Sequence, residues 1–363
     1  MKRFSLCLTL LLVLWSAAGK VSGATYDILD LGSLGGSSWA CGINDRGEVV
    51  GYSYLVGDPD FHAFLWSNGR MTDLGTLGGS SSASGINDRE EVVGQGNLPG
   101  NTGCRAVLWS NGQLTDLGTL GGPDSSATGI NASGQVVGYA DLPDTSSHAF
   151  LWSNGQMTDL GFAGIADAIS ASGEIVGCAD VPGGTSHAFH WSSGHMTDLG
   201  TLGGPNSRAL RINANGEVVG WADVLGGTSR RSHAVLWTNG QMTDLGTLGG
   251  DPDSVASAIN NSGKIVGYSY TVNPYRARGF LYSGGQMIDL NTLIDPASGW
   301  TVQDACGIND SGQIAGRGSH NGEANSAFLM TPIPEPSTFA LLAMAAAGLL
   351  AYGLRRRGRK NER

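Results

Sequence analysis

Apolar and polar positions alternate along this chain in short runs separated by Gly, Asn and Ser clusters. In one stretch the runs are Ala127 to Asn131, Gln135 to Tyr139, His148 to Ser153 and Gln156 to Leu160. Each is too short for a helix and rich in β-branched or aromatic residues, so each predicts a strand with one buried face. The turns between them carry their own signals. Asn131-Ala-Ser-Gly134 ends in a Gly suited to positive φ, and Ser153-Asn154-Gly155 is a tight hairpin connection.

The same four-strand pattern returns along the chain. The phrase HAFLWSNGQMTDLG at 148–161 has copies starting at His62, Arg105, His187, His233 and Arg278, and a fainter one at Ser326. Its Asp-Leu pair stands at Asp30, Asp73, Asp116, Asp159, Asp198, Asp244 and Asp289, giving spacings of 43, 43, 43, 39, 46 and 45 residues. A period of that length holds four short strands and marks a repeat architecture. The 39-residue spacing belongs to the fourth unit, where Gly161-Phe-Ala-Gly-Ile165 replaces Gly-Thr-Leu-Gly-Gly; a shortened connector into that unit is expected.

Counting strands predicts how the row ends. The last unit lacks its fourth strand, because the chain runs from Ala327-Phe328-Leu329-Met330 straight into a different kind of sequence. A lone fourth strand stands at the other end, Tyr26 to Leu31. Pairing the two would close a ring and remove exposed sheet edges. The expected fold is therefore all-β, a seven-bladed β-propeller of four-stranded repeats of about 43 residues, with the N-terminal strand completing the last blade. An open solenoid would leave the N-terminal fragment without a role.

The ends differ from the repeats. Met1-Lys2-Arg3, an apolar run from Phe4 to Ala18 and small residues around Gly23 and Ala24 have the layout of a secretory signal peptide, giving segments 1–23, 24–331 and 332–363. Near the C-terminus, Pro334, Glu335 and Pro336 precede an apolar run from Phe339 to Leu354, expected to be a transmembrane helix, and then Arg355, Arg356 and Arg357 as a cytoplasmic stop. The Pro-Glu-Pro triplet, short apolar run and Arg cluster together resemble the PEP-CTERM sorting signal. That resemblance implies export across the inner membrane of a Gram-negative cell, a transient membrane anchor, and processing by an exosortase, a membrane enzyme associated with exopolysaccharide producers.

Charge narrows the partners. Residues 24–336 keep 12 basic and 30 acidic side chains, a net charge of −18, which repels nucleic acid. The Asn-Asp-x-Gly turns do not form an EF-hand loop, and their recurrence favours turn geometry over metal binding, so neither a metal nor a cofactor is expected. His62, His148, His187 and His233 share one repeat position with Arg105, Arg278 and Ser326, which argues against a catalytic base there. Trp66, Trp109, Trp152, Trp191 and Trp237 read as packing between units. Cys41 and Cys306 each precede Gly-Ile-Asn, in the first and last units; a disulfide across the seam is one reading and two free thiols the other.

The tight turns fall on one face of such a ring and the variable connections on the other. Arg230, Arg231, Tyr275 and Arg276, in two of the longest variable loops, are the expected ligand contacts. His-Ala-Phe-Leu-Trp, Asp-Leu-Gly-Thr-Leu-Gly-Gly and Gly-Ile-Asn-Asp-x-Gly-x-Val-Val-Gly together resemble the HAF family of extracellular repeats over residues 30 to 331, which implies an exported repeat protein and no particular reaction. The expected function is a non-catalytic surface or matrix protein that binds or scaffolds exopolysaccharide or another envelope protein. A secreted glycan hydrolase or lyase is the alternative, with Asp58, Asp60 and His62 the nearest grouping of suitable side chains.

Overall fold

The computed structural model describes residues 25–57, 60–226, 231–271 and 276–334. The signal segment 1–23, Ala24, Glu335, Pro336 and the run through Phe339, Leu354 and Arg355 to Arg357 lie outside the described residues. Among the described residues no helix is long and apolar enough to cross a membrane.

The chain is all-β, built from four-stranded antiparallel sheets that follow one another in order. The first blade is Gly35–Ile43, Val49–Leu55, Phe61–Ser67 and Arg70–Asp73, here called strands a to d from the centre outwards. Six further blades repeat it, and the units form a propeller-like ring. In the last blade Trp300–Ile308, Ile314–His320 and Glu323–Pro332 are completed by Tyr26–Asp30, which pairs antiparallel with the third of them from Tyr26 opposite Pro332 to Asp30 opposite Phe328. Strand a of the first blade packs against the last blade, so the ring closes.

One expectation needs correction. No connector, shortened or otherwise, separates the third and fourth blades. Gln156–Ile169 is a single strand that serves as the outer strand of one sheet and the inner strand of the next. Gly161 takes a positive φ of 87°, as Gly75 and Gly118 do, but the residues after it keep pairing: Ala163 lies opposite His148 in one sheet and Gly164 opposite Ala179 in the next. The other element boundaries move by one or two residues, as in Ser125–Ile130 and Val136–Asp141.

The turns use their residues as the pattern implies. The c–d hairpins have two consecutive positive φ values, such as 53° at Asn154 and 80° at Gly155, whose twist matches that of the strands they join. The Gly of each Val-Val-Gly answers a different need. Strand b crosses strand a so closely that a Cβ on Gly138 would collide with the Ser126 carbonyl oxygen.

Apolar side chains gather between blades, not within them. Val50 and Ala63 of the first blade pack with Ala83, Val92, Val107 and Trp109 of the second, and each later interface has its own cluster. Trp66, Trp109 and Trp237 are buried in these clusters. A buried serine adds a polar staple. Ser81 Oγ accepts from the Ala63 N–H of the preceding blade and donates to Gly75 O. Ser38 does the same across the closure, accepting from Ala327 N–H at 3.0 Å and donating to Gly32 O at 2.8 Å.

Candidate ligand-binding face

Two mouths open onto the central channel. At the tight-turn mouth the isoleucines that precede each turn, from Ile43 to Ile308, line the wall, and the turn asparagines surround them. Asn44 Oδ1 accepts the N–H groups of Arg46 and Glu48, while its Nδ2 donates to Glu48 and to Asn87 O of the next blade. The handover runs on from Asn87 to Asn131 and from Asn131 to Ser170, then from Asn213 to Asn260, Asn260 to Asn309, and Asn309 back to Asn44. Ser170 has no amide to pass the chain on. These asparagines are architectural, since each Oδ1 accepts within its own turn and each Nδ2 donates to the neighbouring blade.

The histidines are also paired within their blades. Nδ1 of His62 lies 2.8 Å from Asp73, and His148, His187 and His233 meet Asp159, Asp198 and Asp244 in the same way. Arg105 and Arg278 take the histidine's place opposite Asp116 and Asp289. Each aspartate additionally holds its turn, as Asp73 does by accepting the Gly75 N–H. Asp60 accepts from Ser80 Oγ, and Asp58 lies outside the described residues. Asp60 and His62 thus engage different partners, Ser80 and Asp73.

The variable-loop mouth is less symmetric. Asp167 stands where the other blades carry Cys, Ser, Thr or Leu, and its carboxylate receives two hydrogen bonds from Arg208 at 2.8 and 2.7 Å. Burial raises the Asp167 carboxyl above its usual range, and the Arg208 guanidinium opposes that shift. Asp304 and Arg317 form a similar pair at 2.7 Å in the last blade. The mouth itself is a cleft of about 340 Å³ whose lining includes Trp39, Tyr52, Tyr268, Arg211, Cys41 and Cys306. The two cysteines are free thiols here. Burial, with the Asp304 charge second, pushes Cys41 up to about 12.

Beside this cleft the first blade carries four half-buried aromatic rings. Trp39 stacks on Tyr52 at 5.0 Å and 9°, Phe61 meets Tyr52 at 5.1 Å, and Tyr54 packs edgewise on Phe61 at 5.6 Å. They sit where strands a, b and c reach the variable loops. The sequence reading passed over them, although the Tyr-Ser-Tyr of strand b is a visible signal: both tyrosines face the same side of the sheet.

Of the four expected ligand contacts, Arg231 and Arg276 are exposed at the ends of variable loops, and Arg230 and Tyr275 lie outside the described residues. Arg276 closes its loop through reciprocal hydrogen bonds with Thr271. Pro334 is exposed. Among the described residues no three His, Cys, Asp or Glu side chains gather in a way that could hold a metal ion.

Residues 332–357 match the PEP-CTERM protein-sorting motif. Such a signal is processed by an exosortase and marks an exported protein sorted to the cell surface in Gram-negative bacteria. No curated protein matches the chain. Among solved structures it is similar to TolB from Acinetobacter baumannii at 12% identity and a TM-score of 0.47, covering 79% of this chain and 64% of TolB. It is also similar to AofleA from Arthrobotrys oligospora at 11% identity and a TM-score of 0.43, covering 72% and 87% of the two chains. XC5397 from Xanthomonas campestris, titled a gluconolactonase, is similar at 10% identity and a TM-score of 0.39, covering 87% and 98%. The chain thus spans under two thirds of the length of TolB.

Proposed function

We propose that this protein is an exported, non-catalytic surface or matrix protein whose seven-bladed β-propeller, residues 24–331, binds extracellular polysaccharide through its variable-loop face. The observation that carries this reading is the ring cluster of Trp39, Tyr52, Tyr54 and Phe61 on that face. Half-exposed aromatic faces stack well on the C–H faces of sugars and add little side-chain entropy cost. The sorting motif supports delivery to the surface where such polymers lie, and the repeats resemble the HAF family of extracellular proteins. Segments 1–23 and 332–363 act in export and in exosortase processing, with Phe339 to Leu354 as a passing membrane anchor.

Co-sedimentation of the purified protein with exopolysaccharide from an exosortase-bearing bacterium tests the proposal. Saturable binding that weakens on Trp39→Ala, and further on Arg231→Ala with Arg276→Ala, is expected. Binding that none of these changes alters would remove the loop face from consideration. Release of reducing or unsaturated sugar ends during the assay would replace the binding reading with a hydrolase or lyase.

A further inference from the structure

The four-ring cluster belongs to the first blade, with a smaller Tyr268–Tyr270 pair in the sixth, but two other clefts on the same face resemble one another. One lies between the second and third blades and measures about 560 Å³; the other lies between the fourth and fifth and measures about 410 Å³. Both sizes fall in the range of small-molecule sites. Six wall positions correspond; the first cleft adds Asn97, Thr102 and Gly103, and the second adds Ser207 and the Arg208 that pairs with Asp167. The earlier blade contributes Gln95 and Cys104 to one cleft, and Cys178 and Ser186 to the other. Gln95 and Cys178 occupy the same register position, each opposite the alanine that follows the paired Arg or His, Ala106 and Ala188.

The later blade contributes the groups with chemistry. Tyr139 and Trp221 hold the equivalent position opposite Ala149 and Ala234, and Asp141 and Asp223 follow two residues later, opposite Ser147 and Ser232. In both clefts the serine hydroxyl donates to that aspartate, at 2.6 Å from Ser147 and 3.2 Å from Ser232. In both, the floor residue caps the preceding blade: Asp124 accepts from Cys104 N–H at 2.6 Å and Asn206 from Ser186 N–H at 3.2 Å. The third and fifth blades are the two that combine an aromatic and a carboxylate in this strand-b arrangement; the first and sixth have Tyr-Ser-Tyr there, the second Gln-Gly-Asn, the fourth Cys-Ala-Asp and the seventh Arg-Gly-Ser.

A half-buried aromatic wall, a carboxylate and a hydroxyl converging in a polar cleft form a recognition set for a hydroxyl-rich ring. The aromatic face covers the sugar's C–H side, and the carboxylate accepts from its hydroxyls: Asp141 receives one side-chain hydrogen bond, from Ser147, and the more buried Asp223 receives two, from Ser232 and from Asn206 Nδ2, so each keeps unused acceptor positions. We infer that these two clefts are a pair of equivalent saccharide sites, each taking one pyranose residue of the polymer, with Tyr139 and Asp141 in one and Trp221 and Asp223 in the other. This inference rests on the polysaccharide-binding reading and specifies where single sugar units are held. Two sites on one rigid ring also make binding of a long polymer bivalent, so losing one site weakens the polymer more than it weakens a monosaccharide.

The test uses the purified protein and a panel of methyl hexopyranosides, screened by saturation-transfer NMR and then titrated calorimetrically. A stoichiometry of two sugars per chain is expected, falling to one in Tyr139→Ala and in Trp221→Ala and to none in the double variant. Polymer affinity should drop by about 10-fold or more in either single variant. Ser147→Ala with Ser232→Ala, which leaves the aromatic walls in place, should weaken both sites and guards against misreading a folding defect. Sugar binding that survives the double aromatic variant, or no binding of any panel member, overturns the two-site inference. Polymer binding that persists in those cases and still depends on Trp39 leaves the broader binding proposal standing; loss of that too removes both.

Discussion

His320 Nδ1 lies 2.9 Å from Asp30 Oδ2, joining residues 290 positions apart in the chain. The histidine–aspartate pairs of the other blades sit within one blade, between strands c and d, but the last blade carries Ser326 at the usual histidine position. The structure restores the pair from the end of strand b instead, where His320 also stacks on Trp300 at 4.6 Å. The ring is closed by a substitute that copies the chemistry of its sister blades without their spacing.

That closure predicts a hierarchy of effects. The His320 and Asp30 side chains are 28% and 36% exposed, so His320→Ala should cost under about 1 kcal/mol in ion pairing. Deleting residues 25–31 removes buried Tyr26 and Leu31 and bares a sheet edge. Its expected cost is about 3–6 kcal/mol from those two side chains, with self-association visible by light scattering. A truncated protein that stays monomeric and as stable as the full chain in urea titration would contradict the closure.

The asparagine ring predicts a gain as well as a loss. Asn309→Ala removes donors to Asn44 O and Gln313 and should cost about 1–3 kcal/mol. Ser170→Asn places an amide at the one gap, facing Asn213, and should raise stability by about 0.5–1.5 kcal/mol. Chemical denaturation of both variants measures the two signs together, and a destabilising Ser170→Asn would show that the fourth blade sits differently in the ring.

The Asp167 and Arg208 pair predicts a pH dependence. Removing the guanidinium with Arg208→Met leaves a buried carboxylate unpaired and should cost about 3–5 kcal/mol at neutral pH. A carboxyl whose folded pKa lies above its usual 3.8 holds its proton more tightly folded than unfolded. Stability from that group is therefore present at low pH and lost as pH rises through the raised value. The variant should lose less at pH 5 than at pH 8; equal losses by thermal unfolding at the two values would rule out a buried Asp167.

The thiols predict slow chemistry. Burial pushes Cys41 up to about 12 and Cys104 and Cys178 up to about 11, and it raises Cys306 as well. Native protein at pH 8 should therefore alkylate on the order of a hundredfold more slowly than an exposed thiol, because the thiolate is the reactive form. Unfolding without reductant should then expose all four. Recovery of Cys41 and Cys306 only after reduction would establish a seam disulfide in place of two thiols.

Local physics made much of this protein legible from residues alone. A two-residue alternation, a Gly or Asn at most of the positive-φ turn positions and a 43-residue return specify short strands, tight hairpins and their number. The unpaired fragment Tyr26 to Leu31 even indicates its partner, because a strand without a neighbour must find one. Through contacts that no spacing announces, tertiary structure decided the rest. Gln156–Ile169 became one strand because Ala163 pairs with His148 in one sheet and Gly164 with Ala179 in the next, and His320 took over from Ser326 because closure put it beside Asp30. Tyr139 and Asp141 meet Gln95 and Cys104 across a blade boundary, tens of residues apart in sequence, and only the packing of one sheet against the next brings them around the same cleft.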